Sequence, residues 1–464
     1  MNSNTRQTTA YRSHSSFWRR TPAFTPTEID YAFSGDTLDS FDNASISPSL
    51  KPHTSNHVAA PASQQNSDSI IASLPHEASP KQQQLSLPDH QAGTTDGSIP
   101  AGINASGLEN AKIYDGANTS ADDPVMQKFH AVLSSTNIDI EQLQKLSWKG
   151  IPGKYRCTAW RLLMGYLPLN ASRRELTIQR KRKEYDDWVG QTFSRGEDSL
   201  DRILWHQIRI DVPRTMPGSP IFQNNRIQRS LERVLYCWAV RHPASGYVQG
   251  INDLLTPFYY VFIEPHIPQI SQYANPDTKE PADDLNNLLD ALDDSAIGAV
   301  EADSFWCLTK LLDGIQDNYT HAQPGIQRQI VKLKELVARI DGALAAHLDS
   351  EGVEFIQFAF RWSNCLLMRE MNLTSTIRMW DTYLAEPDGF SGFHTYVCAA
   401  FLLKWSKELL KLDFQKLMMF LQNPPTTGWG IKDVELLLSE AYMYKCLYHD
   451  SPSHYSTGVA GARR

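Results

Sequence analysis

A net positive charge is missing from this sequence. Its 464 residues carry 44 lysines and arginines against 52 aspartates and glutamates, a formal charge of −8. Without a cationic field there is no source for general attraction to nucleic acid phosphates, which excludes a general DNA or RNA binder. Long apolar runs are missing as well. The longest lies around Leu254–Ile263 and contains Thr256 and Pro257. It is far short of the roughly 20 residues that span a bilayer. The opening MNSNTRQTTAYRSHSS has no apolar core, so no secretory signal is expected. A soluble, cytosolic protein is expected, with membrane contact only peripheral or through a partner. The six cysteines, Cys157, Cys237, Cys307, Cys365, Cys398 and Cys446, form no CxxC pair or Cys/His cluster. That spacing predicts buried free thiols, not a disulfide framework or a zinc site. GxSxG, HExxH, P-loop and kinase motifs are absent, and no dense His or carboxylate cluster suggests self-contained hydrolysis.

The sequence does contain two compositional regimes. Residues 1–125 are rich in Ser, Asn, Gln, Pro, Thr and His, as in QQNSDS, SPKQQQLSLPDHQ and GTTDGS. Such a segment cannot bury enough surface to offset chain entropy, and a disordered arm is predicted. SFWRRTP at Ser16–Pro22 sets an aromatic pair beside two arginines and could act as a short docking motif or be a chance cluster. From about Val125, Trp, Leu, Ile, Phe and Tyr recur at helical spacing. In NNRIQRSLERVLYCWAV, Ile227, Leu231, Val234, Leu235 and Trp238 form one stripe. Further stripes cover Leu200–Ile210, Phe305–Ile315, Ile330–Leu348, Phe355–Glu370, Thr374–Tyr383, Thr395–Leu410, Phe414–Gln422 and Ile431–Tyr448. Strand-type alternation is nearly absent and no fixed-period repeat is visible. An all-α domain over 126–450 is predicted, with a flexible tail at 451–464. The acidic stretch Asn275–Asp303 does not fit an EF-hand loop and is read as a solvated insertion. RKRK at Arg180–Lys183 is followed by EYDDW, so it is read as a solvated helix face.

Two short segments stand out. In IRIDVPRT, Ile208–Thr215, Pro213 disfavours helix at Val212. Arg214 is then expected on a loop that MPGSP keeps irregular, with Asp211 near enough to orient its guanidinium. The plain alternative is a surface ion pair. In HPASGYVQGIND, His242–Asp253, Gly246 and Gly250 flank Tyr247, Val248 and Gln249. Glycines there let the backbone approach a neighbour closely, and a glutamine at an element end offers both a donor and an acceptor. The plain alternative is an ordinary turn. About 18 residues of helix near Asn224–Arg241, roughly 27 Å long, separate the two segments, and the 211–223 loop is long enough to run back along it. A meeting is allowed by this count and not required. Neither an arginine nor a glutamine is a good general base. Together they suit charge stabilisation and water orientation in phosphoryl transfer.

IRIDVPRT matches the IxxDxxRT pattern, and SGYVQG the YxQG pattern, of TBC-domain Rab GTPase-activating proteins, and the sequence resembles that family. Arg156-x-x-x-Trp160 with Arg161 and Gly165, FRWSNCLLMREM at Phe360–Met371 and RMWDTYLAE at Arg378–Glu386 follow in the family's order. The resemblance covers about residues 145–450. The polar arm, SFWRR and the acidic insertion look most like the Golgi-acting subfamily that includes the yeast Ypt GAP. The resemblance implies an all-helical, V-shaped pair of lobes with a groove for a GTP-bound Rab. It implies that Arg214 is an arginine finger and that Gln249 acts in trans in place of the GTPase's own glutamine. Asp211 would orient Arg214; Thr215, Tyr247, Gly250, Asn252, Arg156 and Trp160 would support them. The chain then needs no cofactor of its own, since GTP and Mg²⁺ belong to the GTPase, and it catalyses no independent reaction. Vesicle trafficking at Golgi membranes, with an adaptor bound through the N-terminal arm, is the implied setting. A catalytically inactive Rab-binding scaffold, or an adaptor acting through its arm, is the alternative.

Overall fold

The computed structural model describes residues 123–267, 270–273 and 282–449, all in one compact unit. The polar arm with SFWRR, the tail at 451–464 and the 274–281 part of the acidic stretch lie outside the described residues.

Seventeen α-helices are described. The first seven are α1 (Pro124–Leu133), α2 (Ile140–Ser147), α3 (Gly153–Leu163), α4 (Arg174–Phe193), α5 (Arg202–Asp211), α6 (Asn225–Arg241) and α7 (Ile251–Ile263). Then come α8 (Ala282–Asp290), α9 (Asp294–Gly314), α10 (Pro324–Ile340), α11 (Gly342–Ser350), α12 (Ile356–Asn364) and α13 (Leu373–Ala385). The last four are α14 (His394–Leu403), α15 (Ser406–Leu409), α16 (Phe414–Gln422) and α17 (Ile431–Tyr448). Among the described residues the sole β contact is an isolated bridge between Asn137 and Asn170. No helix among them is long and apolar enough to cross a membrane. The all-α expectation therefore holds.

Capping fixes several starts. Asp201 accepts from the Ile203 and Leu204 amides at α5, and Asn224 from Arg226 and Ile227 at α6. These bonds satisfy donors that a helix leaves open at its first turn. The apolar run Leu254–Ile263 becomes α7, in which every residue is buried. Pro257 sits inside it and leaves the Asp253 carbonyl without its usual partner. The Thr256 hydroxyl donates to that carbonyl at 2.8 Å, which explains how a proline is tolerated there. Helices α6 and α9 pack against the buried helices at the centre, α9 directly along α7.

Several stripes end sooner than their periodicity suggests. Ile330–Leu348 is two helices, α10 and α11, divided at Asp341, whose side chain caps α11. Phe355–Glu370 stops as α12 at Asn364, because Leu366 and Leu367 adopt φ of +49° and +60°. Thr395–Leu410 is likewise divided, into α14 and α15.

The acidic segment is not a solvated insertion at its C-terminal end. Glu301 and Asp303 lie on α9 and are buried. Asp303 accepts from Arg161, from Arg182 at 2.7 Å and from the Tyr166 hydroxyl at 2.7 Å. Glu301 accepts from Tyr185 at 3.0 Å and pairs with Arg233. A buried carboxylate is tolerable only when paired and hydrogen-bonded, and both are. The RKRK reading is corrected by the same contacts. Arg182 serves Asp303, and the Lys181 ammonium lies 3.4 Å from the centre of the Trp306 ring, so half of that run ties α4 to α9. Of the six free cysteines, Cys237, Cys307, Cys365 and Cys398 are buried as expected, whereas Cys157 is half-buried and Cys446 exposed.

Candidate functional site

Helix α5 ends at Asp211, and Val212–Arg214 continue it as one 3₁₀ turn. Arg214 therefore leaves from an ordered turn, not from the irregular loop expected after Pro213. Its Nε donates to Asp211 Oδ1 at 3.0 Å, and its Nη2 pairs with the same oxygen. About a third of the Arg214 side chain is exposed (34%), against 6% of that of Asp211. The guanidinium is thus held from below by a buried carboxylate while part of it faces outward.

The second oxygen of Asp211 serves the other segment. Tyr247 Oη donates to Asp211 Oδ2 at 2.8 Å. Burial, and then the Asp211 charge, raise the Tyr247 phenol above its ordinary pKa, so it stays a donor. Asn252 closes a ring between the segments. Its Nδ2 donates to Thr215 Oγ1 at 2.8 Å, and Thr215 Oγ1 donates to the Asp211 carbonyl at 2.9 Å. Its Oδ1 accepts the Gly250 amide at 3.0 Å and lies 3.2 Å from Tyr247 Oη. The meeting that chain length merely allowed is therefore built, and Asp211, Arg214, Thr215, Tyr247, Gly250 and Asn252 share one network. Gln249 lies on the same turn, with its side chain exposed.

Arg156 and Trp160 are elsewhere. Both grip Asp381 of the RMWDTYLAE segment, which is completely buried. Trp160 Nε1 donates to Asp381 Oδ1 at 2.7 Å and the Ile151 amide to Oδ2 at 2.9 Å. Arg156 Nε lies 3.3 Å from Oδ1. Burial works against the Arg156 charge, but Asp381 and Glu264 outweigh it and hold its pKa above the ordinary value. This cluster joins α3 to α13. It reaches α7 through packing: Trp160 meets Phe258 edge-on, with ring centres 5.8 Å apart. Asp381→Asn leaves Arg156 without its closest counter-charge, and breaking a buried pair costs about 3–5 kcal/mol. The expected result is a lower denaturation midpoint with an unchanged m-value. An unaffected midpoint would show that Asp381 carries no such weight.

Asn364, Arg369 and Asp253 went unassigned at this site in the sequence. Asn364 Nδ2 donates to the Gln249 carbonyl at 3.0 Å. Arg369 Nε donates to Asp253 Oδ2 at 2.8 Å, in the first turn of α7. All three belong to recognisable motifs, but the turn that aims Asn364 and Arg369 is made by two leucines, and nothing in their type signals it.

The profile of the Rab-GTPase-TBC domain matches residues 153–411. The chain belongs to the Rab-GTPase-TBC domain family. The GTPase-activating protein gyp1 of Schizosaccharomyces pombe is 52% identical over 332 residues, covering 71% of this chain and 62% of the relative. Human TBC1 domain family member 22B is 52% identical over 331 residues, covering 71% and 63%. The chain thus spans less than two thirds of the length of these relatives. The crystal structure of the Ypt/Rab-GAP domain of Gyp1p superposes with a TM-score of 0.64 at 50% identity, covering 70% of this chain and 98% of that one. The ring around Asp211 lies wholly inside the matched TBC segment, as do Asp381 and Asn364.

Proposed function

We propose that this protein accelerates GTP hydrolysis by Rab-family GTPases. Arg214 stabilises charge on the transferring phosphoryl group, and Gln249 orients the attacking water. The observation that carries the reading is the ring joining Asp211 and Thr215 to Tyr247, Gly250 and Asn252. It ties an outward-facing arginine and an exposed glutamine to one rigid frame. Catalysis of phosphoryl transfer is almost entirely positioning and electrostatics, so a frame that presents these two side chains supplies the parts a slow GTPase lacks. Phosphate and Mg²⁺ chemistry come with the GTPase and its GTP; this chain contributes no cofactor and turns over nothing alone. The name of the Schizosaccharomyces pombe relative, a GTPase-activating protein, agrees with this reading.

Single-turnover phosphate release from a panel of GTP-loaded Rab-family GTPases tests it. At least one is expected to respond by about 10³-fold or more. Binding to a GTP-loaded form with no acceleration anywhere in the panel would favour the inactive scaffold. Action at Golgi membranes through the N-terminal arm is the finer part of the proposal, and it rests on the arm's resemblance to the Golgi-acting subfamily. A chain lacking residues 1–125 that still concentrates at Golgi membranes would remove the arm from it.

A further inference from the structure

We infer that Asn364 is a positioning residue for Gln249: it holds the backbone from which the trans-acting glutamine projects. The inference rests on the activator reading above. An exposed glutamine has several free torsions, so its aim depends on a fixed base. Asn364 fixes that base by donating from Nδ2 to the Gln249 carbonyl at 3.0 Å. Asn364 is itself held on two sides. Its Oδ1 faces Gln323 Nε2 at 3.4 Å, and its backbone carbonyl accepts from the buried Tyr319 hydroxyl at 2.8 Å.

Two further features exist to permit this contact. A Cβ at Gly250 would lie 2.4 Å from Asn364 Nδ2, and Gly250 has φ of +111°. Only glycine meets both the closeness and the handedness. On the other side of the contact, Leu366 and Leu367 occupy the left-handed region in succession, both fully buried. Such a conformation is strained for a leucine and persists only where the surroundings over-determine it. Here the two leucines end α12 at Asn364 and bring Arg369 onto Asp253. The strained turn therefore grips the 249–253 segment twice, at the Gln249 carbonyl and at the first turn of α7.

The test is a double-mutant cycle on the full chain. Single-turnover phosphate release from a responsive GTP-loaded Rab-family GTPase is measured with wild type, Asn364→Ala, Gln249→Ala and the double variant. Misplacing a reacting group by about 1 Å can cost about 10²-fold. Asn364→Ala is expected to lower the saturating rate about 10- to 100-fold, with the half-saturating concentration changed by less than about threefold. The double variant is expected to be no slower than Gln249→Ala alone, because once the glutamine side chain is gone there is nothing left for Asn364 to position. If the alanine variant melts early, Asn364→Ser, which keeps a polar group but cannot reach the carbonyl, carries the same comparison. A full rate for the Asn364 variant, or losses that multiply in the double variant, would overturn the inference alone. A wild-type protein that accelerates no GTPase would overturn the activator reading and this inference with it.

Discussion

Arg214→Ala abolishes stimulated GTP hydrolysis, and Arg214→Lys does nearly the same: that is the expected result of removing the guanidinium that Asp211 presents at the site. Finger arginines are worth about 10³–10⁵ in rate, or roughly 4–7 kcal/mol of barrier. Lysine keeps the charge but loses the planar fork that can bond Asp211 behind and phosphate oxygens in front. The geometry makes the discrimination sharp, because Nε and Nη2 of Arg214 both engage Asp211 Oδ1. A lysine ammonium gathers its three donors on one nitrogen and cannot reproduce a flat fork with one edge on that carboxylate and the other on the substrate. Arg214 is only partly buried, but its removal takes the ion-pair partner from the buried Asp211, which keeps the Tyr247 hydroxyl bond. Circular dichroism is therefore expected to match wild type, with a lowered melting temperature, while phosphate release falls to the GTPase's own rate. Near-normal acceleration by either variant would sink the assignment of Arg214 as the finger.

The parts of this site that could be read in the sequence are those made by local chemistry. Pro213 stops α5 where a proline should, Asp211 stands one turn before Arg214, and glycines at 246 and 250 take positive φ. Each follows from residue type and spacing over a few positions. What could not be read depends on distant partners or on buried strain. Glu301 and Asp303 look like solvent-facing charges because their neighbours in the chain are acidic. Their counter-ions Arg233, Arg161 and Arg182 come from other helices. The resemblance gives Arg156 and Trp160 a supporting role but does not say what they hold. Their partner, Asp381, comes from near the other end of the domain. The turn at Leu366 and Leu367 is the extreme case, since apolar periodicity runs straight through it and predicts more helix. The fold compels two leucines into a conformation that their side chains disfavour, and only the packing around them explains it.

A GTPase whose own switch glutamine is replaced by alanine or leucine should still hydrolyse GTP when this protein is added. An activator that supplies only arginine depends on the GTPase's glutamine to orient water, and such a GTPase would be refractory to it. One that supplies both groups does not depend on it. The structure makes the second case physically reasonable. The Gln249 amide is exposed, its carbonyl is held by Asn364, and the following amide of Gly250 is held by Asn252, which also bonds Thr215 beside Arg214. Glutamine and arginine are thereby referenced to the same frame, and docking one places the other. Gln249→Ala should remove stimulation of the glutamine-less GTPase altogether and reduce that of the wild-type GTPase by about 10²-fold or more, the scale on which loss of one transition-state hydrogen-bonding group is felt. The measurement is single-turnover phosphate release with the four pairings of wild-type and variant activator and GTPase. If the glutamine-less GTPase stays inert with the wild-type activator while the wild-type GTPase responds, Gln249 does not act in trans. Arg214 would then work alone, with Gln249 left as the exposed residue of an ordinary turn.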